Sequence, residues 1–404
     1  MMAGRTCKPF FYDAFRCIGS ACTDTCCAGW EIDIDDVSYE RYMGLEGAFK
    51  QRLLAQIGTD GESHFFRLQE EQRCPFLNQD NLCDIFIEAG EDYLCDICTE
   101  HPRFYNWYGE YTEVGLGMCC EEAQRLMLGS EAPLRFVVTE EAQDRLALFH
   151  TDGCQEEREE ALPKEEETEE DPLLPLLLSL RRQLFAILQD RRQSIWQRMI
   201  QVREAAGQAQ VLLDLTQEED WAVTLEQFVS QLPVCEEDAG KNMTDVEWLD
   251  HWLQQMTETK SAPEWLSDLL FFFQKLEILD EAWPDRLQQI KTHLGQIWDR
   301  RQEFLTVYAH RCYEYEHLMV YFLYRYFLEG AYNLELCAGV DFAWIGVLMI
   351  LLCDMACWME QGELSFETQC RIIRLYSKEI EYCPENVEAV CQYAKEWQKR
   401  VQKN

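Results

Sequence analysis

The segment from Cys17 to Trp30, CIGSACTDTCCAGW, carries four cysteines, two of them adjacent. Eleven of the chain's twenty cysteines fall in its first 120 residues, and the rest are scattered singly or at helical spacing. The N-terminal stretch MMAGRTCKPFFYDAFRC has basic residues but neither a continuous apolar run nor a small-residue cleavage site. That pattern predicts no secretory signal and a cytoplasmic protein. Thiol buffers keep disulfides open there, so a disulfide framework is excluded and metal ligation or ordinary burial remains. A single cysteine reads as a small buried hydrophobe. The front group, taken together, needs metal.

The front spacing runs Cys17-x4-Cys22-x3-Cys26-Cys27, then Cys74 and Cys83 in CPFLNQDNLC, Cys95 and Cys98 in CDICTEHPR, and the pair Cys119-Cys120. Thiolates are soft ligands that suit zinc or iron–sulfur clusters. A paired-CxxC zinc knuckle needs two such gaps, and only Cys95 to Cys98 supplies one. Iron and sulfide are therefore favoured, with zinc the alternative. A radical enzyme that cleaves S-adenosylmethionine calls for Cx3Cx2C. Here Cys22-x3-Cys26 is followed at once by Cys27, which weakens that reading.

The formal charge of −38 makes a phosphate backbone an unsuitable partner, because affinity for nucleic acid comes from cationic groups that release counterions. The same charge is most simply a solubility feature. A chain of 404 residues has room for two or three domains. The acidic run EEREEALPKEEETEEDP, Glu156 to Pro172, repels itself and reads as a linker, an acidic loop within one domain being the alternative. The division is then a cysteine-rich, turn-rich metal module over residues 1–153, a linker over 154–172 and a helical domain over 173–404.

The module is punctuated by Gly29, Gly61, Pro75, Gly90, Pro102 and Gly109. Past the linker the period changes. Leu177, Leu180, Leu184, Leu188, Ile195, Met199 and Val202 fall three, four or seven apart, and Tyr308, Cys312, Tyr315, Met319, Phe322 and Tyr326 repeat that spacing. Both patterns predict apolar helix faces, and the aromatic stripe of the second reads as core. The apolar run Phe342 to Cys353 lies between Asp341 and Asp354. It falls short of the ~18 residues of a spanning helix and reads as a buried core helix, with no membrane span. The fold class expected is mainly α.

The runs FYDAFRCIGSACTDTCCAGWEIDID, CPFLNQDNLCDI, CTEHPR and GMCCEEAQRLML resemble the flagellin lysine-N-methylase family over residues 8–130. The cysteine plan is also similar to small bacterial zinc- or iron-chelating domains. YEYEHLMVYFLYRYF, with His317 where the family usually has asparagine, and IIRLYSKEIEYCPE extend the resemblance into the helical part. Position by position it covers Cys17, Cys22, Cys26, Cys27, Cys74, Cys83, Cys98 and Cys120. Cys95 and Cys119 sit where the family often has serine, and Cys7 lies outside the pattern. The resemblance implies a 4Fe-4S cluster on four of those eight cysteines, leaving a second site or structural thiols for the others. It also implies methyl transfer from S-adenosylmethionine to lysine side chains of a protein substrate such as flagellin.

Arg103 matches an arginine of the family motif beside the cluster, and its guanidinium reads as a candidate to pin the donor's carboxylate bidentately. Trp30 and Asp33 also match and read as packing and turn residues. The glycine-rich turn of a doubly wound methyltransferase is missing, because Gly115 and Gly117 in VGLGMCC make only a lone GxG. No catalytic residue is assigned. The alternative function is a non-enzymatic iron or zinc binding protein whose helical domain recruits partners.

Overall fold

The computed structural model describes residues 4–61, 63–140, 173–217, 220–232, 243–257, 261–333 and 335–401. Residues 154–172, the expected linker, lie outside the described residues. Two compact units result: Met1–Leu126 with Arg135–Thr168, and Met127–Leu134 with Glu169–Asn404.

The first unit is built on two small sheets. Strands β1 (Arg5–Pro9), β5 (Arg103–Tyr108), β6 (Tyr111–Leu116) and β7 (Phe136–Glu140) form one in the order β5-β6-β1-β7, with β1 parallel to β6 and the other pairs antiparallel. Strands β2 (Asp33–Ile34), β3 (Ile57–Asp60) and β4 (Ser63–Phe66) form the other in the order β2-β4-β3. Gly109, at φ +61°, takes the left-handed conformation that turns β5 into β6. Strand β6 lies between β5 and β1, so every one of its residues is buried. The turn-rich reading resolved none of these strands, because runs of four to six residues interrupted by glycine carry little periodicity.

Short helices fill the spaces between strands: α1 (Asp36–Gly44), α2 (Gly47–Ala55), α3 (Asp84–Glu88), α4 (Asp96–Glu100) and α5 (Glu121–Leu128). Asp35 caps α1 by accepting from Ser38 N at 2.8 Å, and its second oxygen accepts from Asp96 N, the first amide of α4, at 2.9 Å. One aspartate therefore serves two helix starts.

The second unit is helical. Its helices are α6 (Leu173–Leu188), α7 (Ile195–Asp214), α8 (Trp221–Gln231), α9 (Asp245–Thr257), α10 (Ala262–Phe273), α11 (Ala282–Asp299), α12 (Arg301–Tyr308), α13 (Tyr313–Tyr332), α14 (Leu336–Gln361), α15 (Phe366–Glu381) and α16 (Pro384–Val401). The fold is mainly α, with a cysteine-rich front and a helical remainder. Leu177, Leu180, Leu184, Leu188, Ile195, Met199 and Val202 are all buried. They belong to two helices, because the chain turns after Leu188 and restarts at Ser194, which caps α7. The second stripe is likewise divided between α12 and α13 by a short 3-10 turn, Ala309–Arg311.

Helix α14 occupies the middle of the unit, packed by α7, α11, α13, α15 and α16. It is long and apolar enough to cross a membrane by length and composition, but its most apolar stretch is wholly buried inside the protein. It runs past both aspartates that bound the apolar run. Asp341 is paired with Arg203 at 2.7 Å, and Asp354 accepts from Tyr315 Oη at 2.8 Å and Gln369 Nε2 at 3.0 Å. Those partners let two acidic residues sit at zero exposure. Residues 127–134 join this unit through backbone carbonyls: Leu128 accepts from Tyr313 Oη at 3.1 Å and Leu134 from Gln189 Nε2 at 2.8 Å.

Candidate metal site

The first cysteine loop is pinned from a distance. A 3-10 turn over Gly19–Ala21 separates Cys17 from Cys22, and Cys17 Sγ accepts from Gly19 N at 3.4 Å. Thr23 donates to Glu121 Oε2 through both its amide (2.9 Å) and its hydroxyl (2.6 Å), and the Cys22 thiol points to the same oxygen at 3.9 Å. Glu121 opens α5, and the Cys120 carbonyl accepts from Gln124 N at 3.1 Å. Cys17, Cys22 and Cys120 are thereby gathered at the start of that helix. Burial pushes the Cys120 thiol up to about 11 against the pull of the Glu122 and Ala123 amides, with the sulfurs of Cys22 and Cys17 adding to the rise. Cys26 stands with them. Its thiol is held well above the ordinary range by its hydrogen bond to Cys27 first and burial second, with Cys120 and Cys17 contributing.

Cys27, whose thiol hydrogen-bonds to that of Cys26, leads into a second set of turns. Its carbonyl accepts from Cys74 N at 2.9 Å, beside the antiparallel bridge Ala28–Arg73. From Cys74 the chain makes a tight loop in which Asn78 Oδ1 accepts from Asp80 N and Leu82 N, and the bridge Leu77–Cys83 closes it. Cys83 and Cys95 immediately precede α3 and α4, and Cys95 Sγ is 3.4 Å from Cys98 Sγ. Cys74 and Cys95 lie in a core with Ile34, Tyr42, Phe66 and Phe76, and Cys27, Cys83 and Cys98 pack against it. Burial pushes the Cys74 thiol up to about 12, with Cys27, Cys83 and Cys95 adding to it. The Cys27 thiol is lowered, to about 7, by the Cys26 hydrogen bond first, with Thr25 and Arg73 assisting.

The eight matched cysteines therefore stand in two groups. Cys17, Cys22, Cys26 and Cys120 form one, and Cys27, Cys74, Cys83 and Cys98 the other. Cys95, set aside on sequence, joins the second, and the signal that finds it is its CxxC spacing with Cys98. Cys119 is buried with its sulfur 3.8 Å from His101 Nε2. Soft thiolates in sets of four fit an iron–sulfur core. Zinc on four sulfurs at 2.3 Å implies sulfur separations of about 3.8 Å. Among the described residues no three front cysteines close to within 4.8 Å of one another; the trio that does is Glu277, Cys383 and Glu385 in the second unit, whose two carboxylates are exposed.

Arg103 lies at the start of β5. Its guanidinium sits 5.3 Å from the Phe15 ring and 5.9 Å from the Tyr12 ring, and donates to Thr99 O at 3.0 Å. Among the described residues no carboxylate pairs with it. Gly115 has a packing explanation: a Cβ there would run into the Phe104 ring of the neighbouring strand. The lone GxG thus belongs to a sheet, where it lets an aromatic ring lie on the strand.

Residues 181–402 match the FliB lysine N-methylase C-terminal domain. The chain belongs to the FliB lysine N-methylase family. It is 30% identical over 128 residues to the flagellar biosynthetic protein FliU of Salmonella muenchen, covering 30% of this chain and 75% of the relative. It is 29% identical over 131 residues to the lysine-N-methylases of Salmonella typhimurium and Salmonella choleraesuis, covering 30% of this chain and 32% of each relative. The alignment thus spans about a third of those two methylases. No solved structure matches the chain.

Within the FliB-matched region the aromatic stripe is core, as its period implies, but its hydroxyls are wired to buried carboxylates. Tyr308 donates to Glu314, Arg311 pairs with Glu314 at 2.8 Å, and Tyr315 donates to Asp354. Tyr321 and Tyr326 both donate to Glu381 Oε1, at 2.7 and 3.0 Å. Burial raises the Asp354 carboxyl well above the carboxylate range, which favours its protonated form. Sequence reasoning missed these networks, because the acidic partners lie up to 60 residues from their tyrosines.

Proposed function

We propose that this chain transfers a methyl group from S-adenosylmethionine to the ε-amino group of lysine side chains on a protein, with flagellin as the substrate class and the cytoplasm as its location. The match of residues 181–402 to the lysine N-methylase domain carries the reading. The flagellar and methylase names of the relatives support it.

In the displacement the lysine nitrogen attacks the methyl carbon, the carbon–sulfur bond breaks, and S-adenosylhomocysteine leaves. The ammonium must first lose its proton, so the protein has to desolvate the amine or offer it a base. Holding amine and methyl collinear supplies much of the acceleration. Arg103 is free of a carboxylate partner among the described residues and has aromatic rings against its guanidinium, which suits it to accept the donor's carboxylate in a bidentate pair. A 4Fe-4S cluster bound by the front cysteines would supply a rigid anchor and an electron-rich centre. The two cysteine groups would hold such cores.

The test is anaerobically purified, iron-loaded protein incubated with S-adenosylmethionine and flagellin, with methyl-lysine read by mass spectrometry. Methyl-lysine on flagellin supports the proposal. Iron-loaded protein that neither binds the donor nor methylates overturns it in favour of the metal-binding alternative.

A further inference from the structure

We propose that the first unit holds two separate metal centres, one on Cys17, Cys22, Cys26 and Cys120 and one on Cys27, Cys74, Cys83 and Cys98, with Cys95 beside the second. The inference rests on the reading of the front thiols as metal ligands and is independent of methyl transfer.

Two scaffolds carry the two groups. The first is a loop tied to the start of α5 by the Thr23–Glu121 hydrogen bonds. The second is a set of turns on an apolar core that includes or touches Cys27, Cys74, Cys83, Cys95 and Cys98 and none of the first four. The backbone separates at the adjacent pair. The Cys26 carbonyl accepts from the Trp30 indole, whose ring lies 5.4 Å from His101, whereas the Cys27 carbonyl accepts from the Cys74 amide. Consecutive α-carbons are about 3.8 Å apart. The two thiols hydrogen-bond to each other, so this dipeptide is where the two sets of ligands meet, one thiol for each centre, and it holds the centres side by side.

The ligand count agrees. A four-thiolate centre uses four cysteines, and the thiols are gathered as four and, with Cys95, five, enough for two centres with one thiol over. A single centre would leave five of these thiols with no metal to hold. The groups differ modestly in access: in the first Cys17 is exposed and Cys22, Cys26 and Cys120 are half-buried, while in the second Cys74 is buried and Cys27, Cys83 and Cys98 are half-buried. The first centre is the more open of the two, because it has the exposed Cys17, whereas the second rests on an apolar core. Both sets select a thiophilic metal, an iron–sulfur core or zinc, and the assay below separates the two.

Iron, zinc and acid-labile sulfide are measured on the full chain after anaerobic purification, and each cysteine's protection against alkylation is mapped by peptide mass spectrometry. Two centres predict protection of all eight cysteines. They also predict that slow removal by a chelator exposes them as two sets, Cys17, Cys22, Cys26 and Cys120 before Cys27, Cys74, Cys83 and Cys98. The metal that leaves with each set identifies its centre. Replacing Cys17 and Cys22 by Ser should remove the first centre's metal alone, and Cys17→Ser alone, on an exposed residue, serves if the double variant does not fold. One centre's worth of metal in the parent, exposure of all eight cysteines in one step, or loss of all metal from a folded Cys17→Ser protein would each overturn the doubling. A parent with no metal overturns the ligand reading itself.

Discussion

Replacing Arg198 by Met should destabilise the helical unit by about 3 kcal/mol. Glu316 has zero exposure and is held by two guanidiniums: Arg198 Nη1 at 2.6 Å, and Arg191 in a bidentate pair at 2.8 Å through each nitrogen. The Arg198 side chain is 5% exposed and that of Arg191 34%. Breaking a buried pair by removing one partner costs about 3–5 kcal/mol, because the remaining charge stays desolvated. Arg191 keeps its two bonds, so the lower end of that range applies. For a unit of this size each kcal/mol shifts the melting temperature by about 2–4 °C. The variant should therefore melt about 6–12 °C below the parent when the helical signal in circular dichroism is followed on the full chain. Adding Glu316→Leu removes the buried carboxylate that has lost one of its two guanidiniums and leaves Arg191, already a third exposed, to solvent. The double variant should recover at least about 1 kcal/mol relative to Arg198→Met. A double variant less stable than the single one would refute the argument that the loss comes from a buried charge left with only part of its compensation.

Arg103→Ala should weaken binding of S-adenosylmethionine by about 10- to 100-fold, the range of a charge-assisted hydrogen-bonded pair, with iron content unchanged. Calorimetry and an iron assay on the same sample check it, and full affinity in an iron-loaded variant would place the donor elsewhere. Gly115→Ala should cost about 1–3 kcal/mol, because the Phe104 ring must leave the strand. Phe104→Leu in that background should restore much of the loss in a thermal melt, and an unaltered melt of Gly115→Ala would contradict the packing. Glu379 has zero exposure, and burial raises it from 4.5 to about 7 although Leu279 N and Asp280 N donate to it. The native state therefore binds the proton more tightly than the unfolded chain. That stabilisation is full below about pH 4.5 and is lost as pH rises through about 7, at most about 3 kcal/mol. Glu379→Gln should flatten the decline relative to the parent in urea titrations across that window, and parallel curves would refute it.

What the sequence by itself determined is what local pattern encodes. The concentration of cysteines in the front third needs only their positions. Buried faces such as Leu177, Leu180, Leu184 and Leu188 follow from a spacing that any helix imposes. The apolar stretch around Phe342 to Cys353 announces a buried helix for the same reason, and the family resemblance could be read from the motifs around Cys17 to Asp35 and Cys74 to Arg103. What only the tertiary structure decided is who meets whom. Thr23 finds Glu121 across 98 residues, and that contact draws Cys22 toward Cys120. Cys26 and Cys27, adjacent in the chain with thiols hydrogen-bonded to each other, send their carbonyls to different partners, the Trp30 indole and the Cys74 amide. Cys95 becomes a candidate ligand because its sulfur lies against Cys98 on a buried core, whatever residue its counterparts carry. Asp341 and Asp354 read as boundaries of an apolar run, yet Arg203, Tyr315 and Gln369 come from other helices to admit them to its interior. Local spacing reports which face of an element is apolar. The partner that face meets depends on the path of the whole chain, because a long-range contact exists only once both segments are already in place.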